Sequence, residues 1–452
     1  MTREVRGSGL ETSASADARS WGSTASDAHP AAAAPISRQG SGFLDAAWWL
    51  PLVAAATLML WGFLRLHPTA PFAGQRFYQA AATGRLAWSD IISIYGRDNM
   101  AGHPFPYTSQ GLFEYPVLTG LVFYVAGYAG YVGDATPAFL VNYLILAAAG
   151  IGMLWLIIGH PGANPWLFAL SPALVLYTGA NWDLLALLPG IAALLLFERR
   201  RDIPATVLLV LSVWLKFFPL LWLPLVLMER ARRREWRACG VILGLFTLLS
   251  VVINLPFALR DRQEWGRFFT FNRERSPEVN VWTIIRDTHL STDTINTLSL
   301  LTIVAAVVLL WWVQLRRQGD VTIPAAAALM VWFLFINKVY SPQYFIWIVP
   351  FLALLAAPPA LAVGLAFVDV IYYTCSFQIL HAGCPPCDAG LQAFSNWDFD
   401  HVLEPAMELR EAAFLLLIGW IVAARLRGRS PLSPAAGLPQ AGEATIYRTT
   451  GG

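Results

Sequence analysis

Residues 203–228 read IPATVLLVLSVWLKFFPLLWLPLVLM, an apolar run between two arginine clusters: Glu198-Arg199-Arg200-Arg201 before it, and Arg230 with Arg232-Arg233-Arg234 after it. Its length is that of one long membrane helix. Arginine clusters mark the cytoplasmic ends of membrane spans, so a single crossing would leave one cluster on the wrong side. Lys216 and Pro219 interrupt the run near its middle, and proline removes a backbone donor and breaks a helix. The run therefore reads as two short helices folded into a hairpin, with Lys216 at the tip away from both clusters. Broken backbone at such a depth persists only where protein encloses it or where it lines a wet cavity.

Outward from this hairpin the same pattern repeats. Hydrophobic residues make up 56% of the chain, charged residues 13%, and the mean hydropathy is +0.52. A soluble domain carries about twice that charged fraction. Further apolar runs cover residues 48–66, 138–158, 165–178, 183–198, 238–257, 296–315, 321–337, 344–357, 359–378 and 411–425. The reading is an all-α, polytopic transmembrane bundle of about 11–13 membrane helices. Arg316-Arg317 and Arg425, Arg427 and Arg429 join the other arginines on the cytoplasmic side. Alternation then places the N-terminus inside, and one outer face receives residues 67–114, Asn181-Trp182-Asp183, 258–292, Asn337 to Tyr344 and 379–406. Residues 115–132 break the parity and read as a juxtamembrane or re-entrant helix.

Residues 1–44 and 429–452, rich in small residues and without apolar periodicity, read as disordered cytoplasmic tails around a membrane domain at 45–428. A net charge of +2 with no basic domain argues against nucleic acid as a partner. The 19 Trp suit a chain that borders lipid headgroups. Cys239 and Cys375 fall in or beside apolar runs, as inert core residues would. Cys384 and Cys387 form C-P-P-C in a polar loop, compatible with a disulfide, two free thiols or a redox pair; no second C-x-x-C completes a zinc site.

Several polar residues of the outer face have types suited to chemistry. Asp90, in Trp88-Ser89-Asp90-Ile91, either caps a short helix starting at Ile91 or is a carboxylate held ionised as a general base. Glu114 is a second acid or a cap for the helix that follows, and Asp98 reads as a solvated residue beside Arg97. Asp183, after Asn181-Trp182, opens an apolar helix as a cap would. An ammonium inside an apolar segment, as at Lys216, is costly and usually paired or functional; the bland reading is snorkelling to headgroups. Lys338 lies at similar depth in Asn337-Lys338-Val339-Tyr340-Ser341-Pro342-Gln343-Tyr344. Two nearby cations repel unless something negative stands between them, and Asp369, inside an apolar run, is a candidate counter-ion.

Together the Ser89-Asp90-Ile91 motif with Tyr95, Glu114-Tyr115-Pro116-Val117, Asn181-Trp182-Asp183, Lys216 with Pro219, Phe271-Asn272-x-Glu274-Arg275, and Asn337 to Tyr344 resemble, in this order, glycosyltransferase family 87 of the GT-C superfamily. The resemblance covers about residues 48–380 and implies a GT-C-type bundle with a large first extracytoplasmic loop. It further implies an inverting enzyme of the plasma membrane that moves a sugar, often mannose, from a polyprenyl-phosphate donor to a lipid or glycan acceptor at the outer face. Carried over residue by residue, it makes Asp90 the base with Glu114 second, and puts Lys216, Lys338 and Arg275 at the donor phosphate. Tyr95, Asn181, Asp183, Asn272, Tyr340, Gln343 and Tyr344 then belong to the substrate pocket. Basic side chains could replace a divalent metal at the leaving phosphate; no metal ligand set is assigned, and a metal's participation stays open. The 384–404 loop and the C-terminal part match no motif of the resemblance. The alternative is a lipid or glycolipid transporter, which would place its polar site near the midplane between pseudo-symmetric halves.

Overall fold

The computed structural model describes residues 47–74, 78–108, 113–132, 134–285, 290–317, 319–382 and 399–426. The expected terminal tails, Cys384 and Cys387 lie outside the described residues. Within them the chain is helical, and its extended pairings are two isolated bridges. In chain order, α1 (Leu50–Leu66) leads into a polar segment holding α2 (Tyr78–Gly84) and α3 (Asp90–Arg97), followed by α4 (Val117–Gly127) and α5 (Thr136–Ile158). Two short pieces, α6 (Trp166–Ala169) and α7 (Ala173–Tyr177), precede α8 (Asp183–Glu198), α9 (Asp202–Leu215) and α10 (Trp222–Arg232). Next come α11 (Trp236–Arg260), α12 (Arg262–Glu274), α13 (Val281–Ile284), α14 (Thr292–Arg316) and α15 (Thr322–Ile336). The bundle closes with α16 (Val349–Leu354), α17 (Pro359–Ala382) and α18 (Glu404–Trp420).

Among the described residues five helices are long and apolar enough to cross a membrane: Leu50–Phe72, Thr136–Ile158, Trp236–Arg260, Thr292–Arg316 and Pro359–Gln378. The other apolar runs form shorter or interrupted helices. On α11 and α14 most of the apolar surface is exposed, including Leu243, Leu248, Val252, Leu300, Val304 and Val308. Apolar patches of this extent are not left to water. This is a membrane protein.

The hairpin read from residues 203–228 is present. Backbone at Lys216 turns extended, with φ −154° and ψ 129°, and Pro219 opens a 3₁₀ turn over Phe218–Leu221. The two arms close on one another at their far ends, where the Arg230 guanidinium donates to Asp202 at 2.6 Å and to the Phe197 carbonyl at 2.6 Å. At this same end Arg200 pairs with Glu235 at 2.6 Å, His160 meets Glu198 at 3.2 Å, and Arg232 donates to the Arg317 carbonyl at 3.2 Å. These bonds gather the ends of α5, α8, α10 and α14 and the starts of α9 and α11 into one arginine-rich end. Lys216 lies at the other end. Within residues 115–132, α4 is a short apolar helix whose Thr119 hydroxyl donates to the Leu215 carbonyl beside Lys216.

Close backbone contact fixes α3 at the polar end. A Cβ on Gly96 would lie 1.9 Å from the Gly74 nitrogen, so the segment after α1 crosses directly over the last turn of α3. The Asp90 amide donates to the Ala180 carbonyl at 2.8 Å, which ties the first turn of α3 to the approach to α8. Arg65, at the end of α1, donates to the Leu176 carbonyl at 2.8 Å, to the Tyr373 hydroxyl at 2.7 Å and to the Leu86 carbonyl. One guanidinium fork thereby holds α1, α7, α17 and the strand of chain that leads to Trp88.

Candidate active site

The helix of α3 starts at Asp90 itself, one residue earlier than the capping reading supposes. Its N-cap, Ser89, makes no side-chain cap; the hydroxyl donates to the Gly179 carbonyl at 2.6 Å. The Tyr78 hydroxyl clamps the same residue, donating to the Ser89 carbonyl at 2.8 Å and accepting from its amide at 3.1 Å. The Asp90 carboxylate is thus free of the backbone and turned sideways. It accepts from the Trp88 indole at 2.8 Å, from the Asn181 amide at 2.7 Å and from the Gln343 amide at 3.3 Å. Burial raises its pKa above the usual aspartate range, while the bonds from Trp88 and Asn181 and the charge of Lys216 pull it back.

Asn181 relays Asp90 to the cation. Its carbonyl oxygen accepts from the Lys216 ammonium at 3.3 Å, and its amide also donates to the Tyr115 hydroxyl at 2.9 Å. Lys216 is paired with Asp183 at 2.5 Å, and that carboxylate accepts from the Trp347 indole at 2.6 Å. The rings of Tyr115, Tyr344 and Trp347 stand 5.6–5.9 Å from the ammonium. Asp183 is fully buried. The counter-ion of Lys216 is therefore Asp183, and the expectation that Asp369 plays this part is corrected: Asp369 accepts from the Tyr177 hydroxyl at 2.9 Å. The N-terminus of α8 favours a carboxylate at that position.

These groups face a cavity of about 440 Å³ whose walls include Asp90, Glu114, Asn181, Lys216, Asn272, Arg275, Gln343 and Tyr344. Glu114 does not cap α4; it pairs with Arg97 at 2.8 Å, and Arg97 also pairs with Asp98 at 2.6 Å. Asp98 is buried, contrary to its reading as a solvated residue. Arg275 grips Glu278 in a two-pronged pair at 2.6 and 3.0 Å rather than its neighbour Glu274. Lys338 is placed apart from the Asp90 cavity. It lines an adjoining cavity of about 230 Å³ that shares Asn272, Arg275 and Tyr344. Its ammonium donates to the Arg273 carbonyl at 2.7 Å, where a cation suits the last turn of α12. Burial, then Arg275, lowers its pKa.

Three expected pocket residues lie elsewhere. Asp183 sits behind Lys216, and the Tyr95 hydroxyl packs on Gly130 and reaches the Tyr131 carbonyl at 3.4 Å. Tyr340 is buried against Arg410. Trp88, Arg97, Glu278 and Ser341 line the cavity without having been assigned a role from sequence. Arg275 and Glu278 are three residues apart in non-helical backbone, where helix spacing gives no signal of their pairing. Among the described residues no three His, Cys, Asp or Glu side chains converge as a metal-ligand set.

The family model described as glycosyltransferase family 87 matches residues 113–342, more than half of the chain. The chain belongs to glycosyltransferase family 87. No curated protein and no solved structure matches it. Membership makes this membrane protein a glycosyltransferase. The matched residues include Glu114, Asn181, Asp183, Lys216, Arg275 and Lys338, while Asp90, Gln343 and Tyr344 lie outside them. The fold brings Glu114, Asn181, Lys216 and Arg275 of the first group to one cavity with Asp90, Gln343 and Tyr344.

Proposed function

We propose that this family 87 glycosyltransferase moves a hexose, with mannose the favoured sugar, from a polyprenyl-phosphate donor to a lipid or glycan acceptor at the extracytoplasmic face of the plasma membrane, with inversion. The observation that carries the reading is the Asp90–Asn181–Lys216 chain on one cavity wall: a carboxylate held by three donors and linked through one amide to a cation. Asp90 takes the proton of the acceptor hydroxyl, which attacks the anomeric carbon. The bond to the carrier phosphate breaks, and Lys216 and Arg275 stabilise the departing anion. An ammonium has three donors, and Asp183 and Asn181 account for two.

An apolar groove supports a lipid-linked donor. Its volume is about 440 Å³, with Val213, Trp214, Phe217, Phe246, Val251 and Leu255 among its walls. Phe217 packs on Phe268 with ring centroids 5.7 Å apart, and Phe268 lines the polar cavity. A hydrocarbon tail in the groove would bring its phosphate to the cavity mouth. The polar groups crowd one end of the bundle, which speaks for this reading over a transporter with a midplane site.

The test is sugar transfer in membranes containing the wild type or Asp90→Asn, supplied with mannosyl polyprenyl phosphate and a total lipid extract. Loss of turnover of about 10²–10⁴-fold in the variant is expected for removal of a general base. Unchanged turnover rejects Asp90 as the base. Absence of transfer by the wild type across several lipid-linked sugars rejects the donor class.

A further inference from the structure

Val279 has φ +52°. A β-branched side chain in the left-handed region is strained, and such a conformation persists only where its surroundings hold it. Here three bonds hold it. The Glu278 amide donates to the Lys338 carbonyl at 2.8 Å and the Tyr340 amide donates to the Glu278 carbonyl at 3.1 Å, which makes the Glu278–Val339 bridge. The third bond comes from α18: the Arg410 guanidinium donates to the Val279 carbonyl at 2.9 Å.

Arg410 grips the other side of the bridge as well. Its guanidinium carbon stands 3.8 Å from the Tyr340 ring and 4.3 Å from the Tyr372 ring, so the planar group is sandwiched. The residue is buried and pairs with Glu411, yet its Nε and Nη1 have no acceptor. A buried charge with two nitrogens unsatisfied is a poor source of stability. What it does accomplish is geometric. One side of the bridge carries Arg275 and Glu278 to the cavity, and the other carries Ser341, Gln343 and Tyr344, with Gln343 bonded to Asp90.

We infer that Arg410 is a positioning residue for sugar transfer, holding the strained turn at Val279 so that Arg275 and Gln343 face the donor and Asp90. It lies beyond the residues that the family model matches. The inference rests on the transferase reading of the cavity.

The experiment compares the wild type, Arg410→Met, Arg410→Lys, Val279→Gly, the two double variants with glycine, and Arg410→Met with Glu411→Gln. Donor KM and kcat are measured with mannosyl polyprenyl phosphate, binding of polyprenyl phosphate by thermal shift, and melting temperature in detergent. Misplacing the wall by about an ångström costs on the order of a hundredfold. Arg410→Met is therefore expected to weaken kcat/KM by about that factor and, because it strands the buried Glu411, to lower the melting temperature too; adding Glu411→Gln should return the melting temperature without restoring kcat/KM. Val279→Gly alone should resemble the wild type. Glycine adopts the left-handed φ without a Cβ penalty, so adding Val279→Gly to Arg410→Met should recover about tenfold. A purely structural Arg410 would regain kcat/KM with Glu411→Gln, as the melting temperature recovers, and gain nothing from glycine. If Arg410→Met fails to fold, Arg410→Lys replaces it, because an ammonium keeps the charge but not the planar fork. Unchanged kinetics in the Arg410 variants, or no recovery with Val279→Gly, overturns the inference. A wild type that transfers no sugar refutes the transferase reading instead, and binding of polyprenyl phosphate then decides Arg410 separately.

Discussion

Asp90 combines two properties that a general base needs: a pKa raised by burial and donors that keep the ionised form in place. In the proposed reaction its active form is the carboxylate, so transfer should fall as pH drops through a pKa above the ordinary aspartate range. Asn181 and Lys216 both lower that pKa. Removing either, as Asn181→Ala or Lys216→Met, is expected to move the acid limb of the kcat/KM profile to higher pH. A limb that stays in place in both variants would show that another group titrates. Glu114, by contrast, is tied to Arg97, and Glu114→Gln should leave the position of that limb unchanged while Asp90→Asn removes turnover. Lys216 was legible as a charge inside an apolar run, and Asp90 through the Ser89-Asp90-Ile91 motif of the first outer loop. Asp183 was not recognised as the partner of Lys216, because 33 positions of helix and turn separate Asp183 and Lys216 along the chain and only packing of α8 on α9 brings them together.

The hairpin of α9 and α10 depends on how its arms are joined at the arginine-rich end. The Arg230 side chain is 1% exposed and Asp202 19%. Leaving a buried charge without its partner costs about 3–5 kcal/mol. Arg230→Met should therefore lower the melting temperature in detergent markedly, and combining it with Asp202→Leu should return part of the loss, since both charges are then gone. Equal melting of the single and double variants would mean that the pair is not coupled. Proline and charge placement in residues 203–228 were enough to expect this break, since a broken helix between two like clusters has one economical topology. The short α6 and α7 were read as one run, 165–178, because periodicity does not register the turn that Ser171-Pro172 makes between them.

At the scale of the whole molecule, polar loops distant in sequence share one end of the bundle and the arginine clusters share the other. If the positive-inside orientation holds, a cysteine at exposed Arg273 should react with an impermeant maleimide on intact cells, in a background without native cysteines. One at exposed Arg237 should react only after permeabilisation. The reverse pattern would place the cavity in the cytoplasm and discard an extracytoplasmic reaction. The exposed apolar face of α11 borders the groove next to the cavity, which is where a donor arriving through lipid would enter.

The amino-acid sequence by itself determined that the chain is an all-helical membrane protein, that residues 203–228 break into a hairpin, and which end of the bundle collects its polar groups. Length, apolarity and charge placement act locally, so they can be read along one dimension. Tertiary structure alone decided which polar groups meet. It paired Lys216 with Asp183, set Lys338 in a neighbouring cavity, buried Tyr95 and Tyr340, and brought Arg410 from α18 onto the turn at Val279. Those outcomes depend on contacts between helices far apart in the chain, where burial makes each unpaired polar atom costly and leaves few arrangements that satisfy them together.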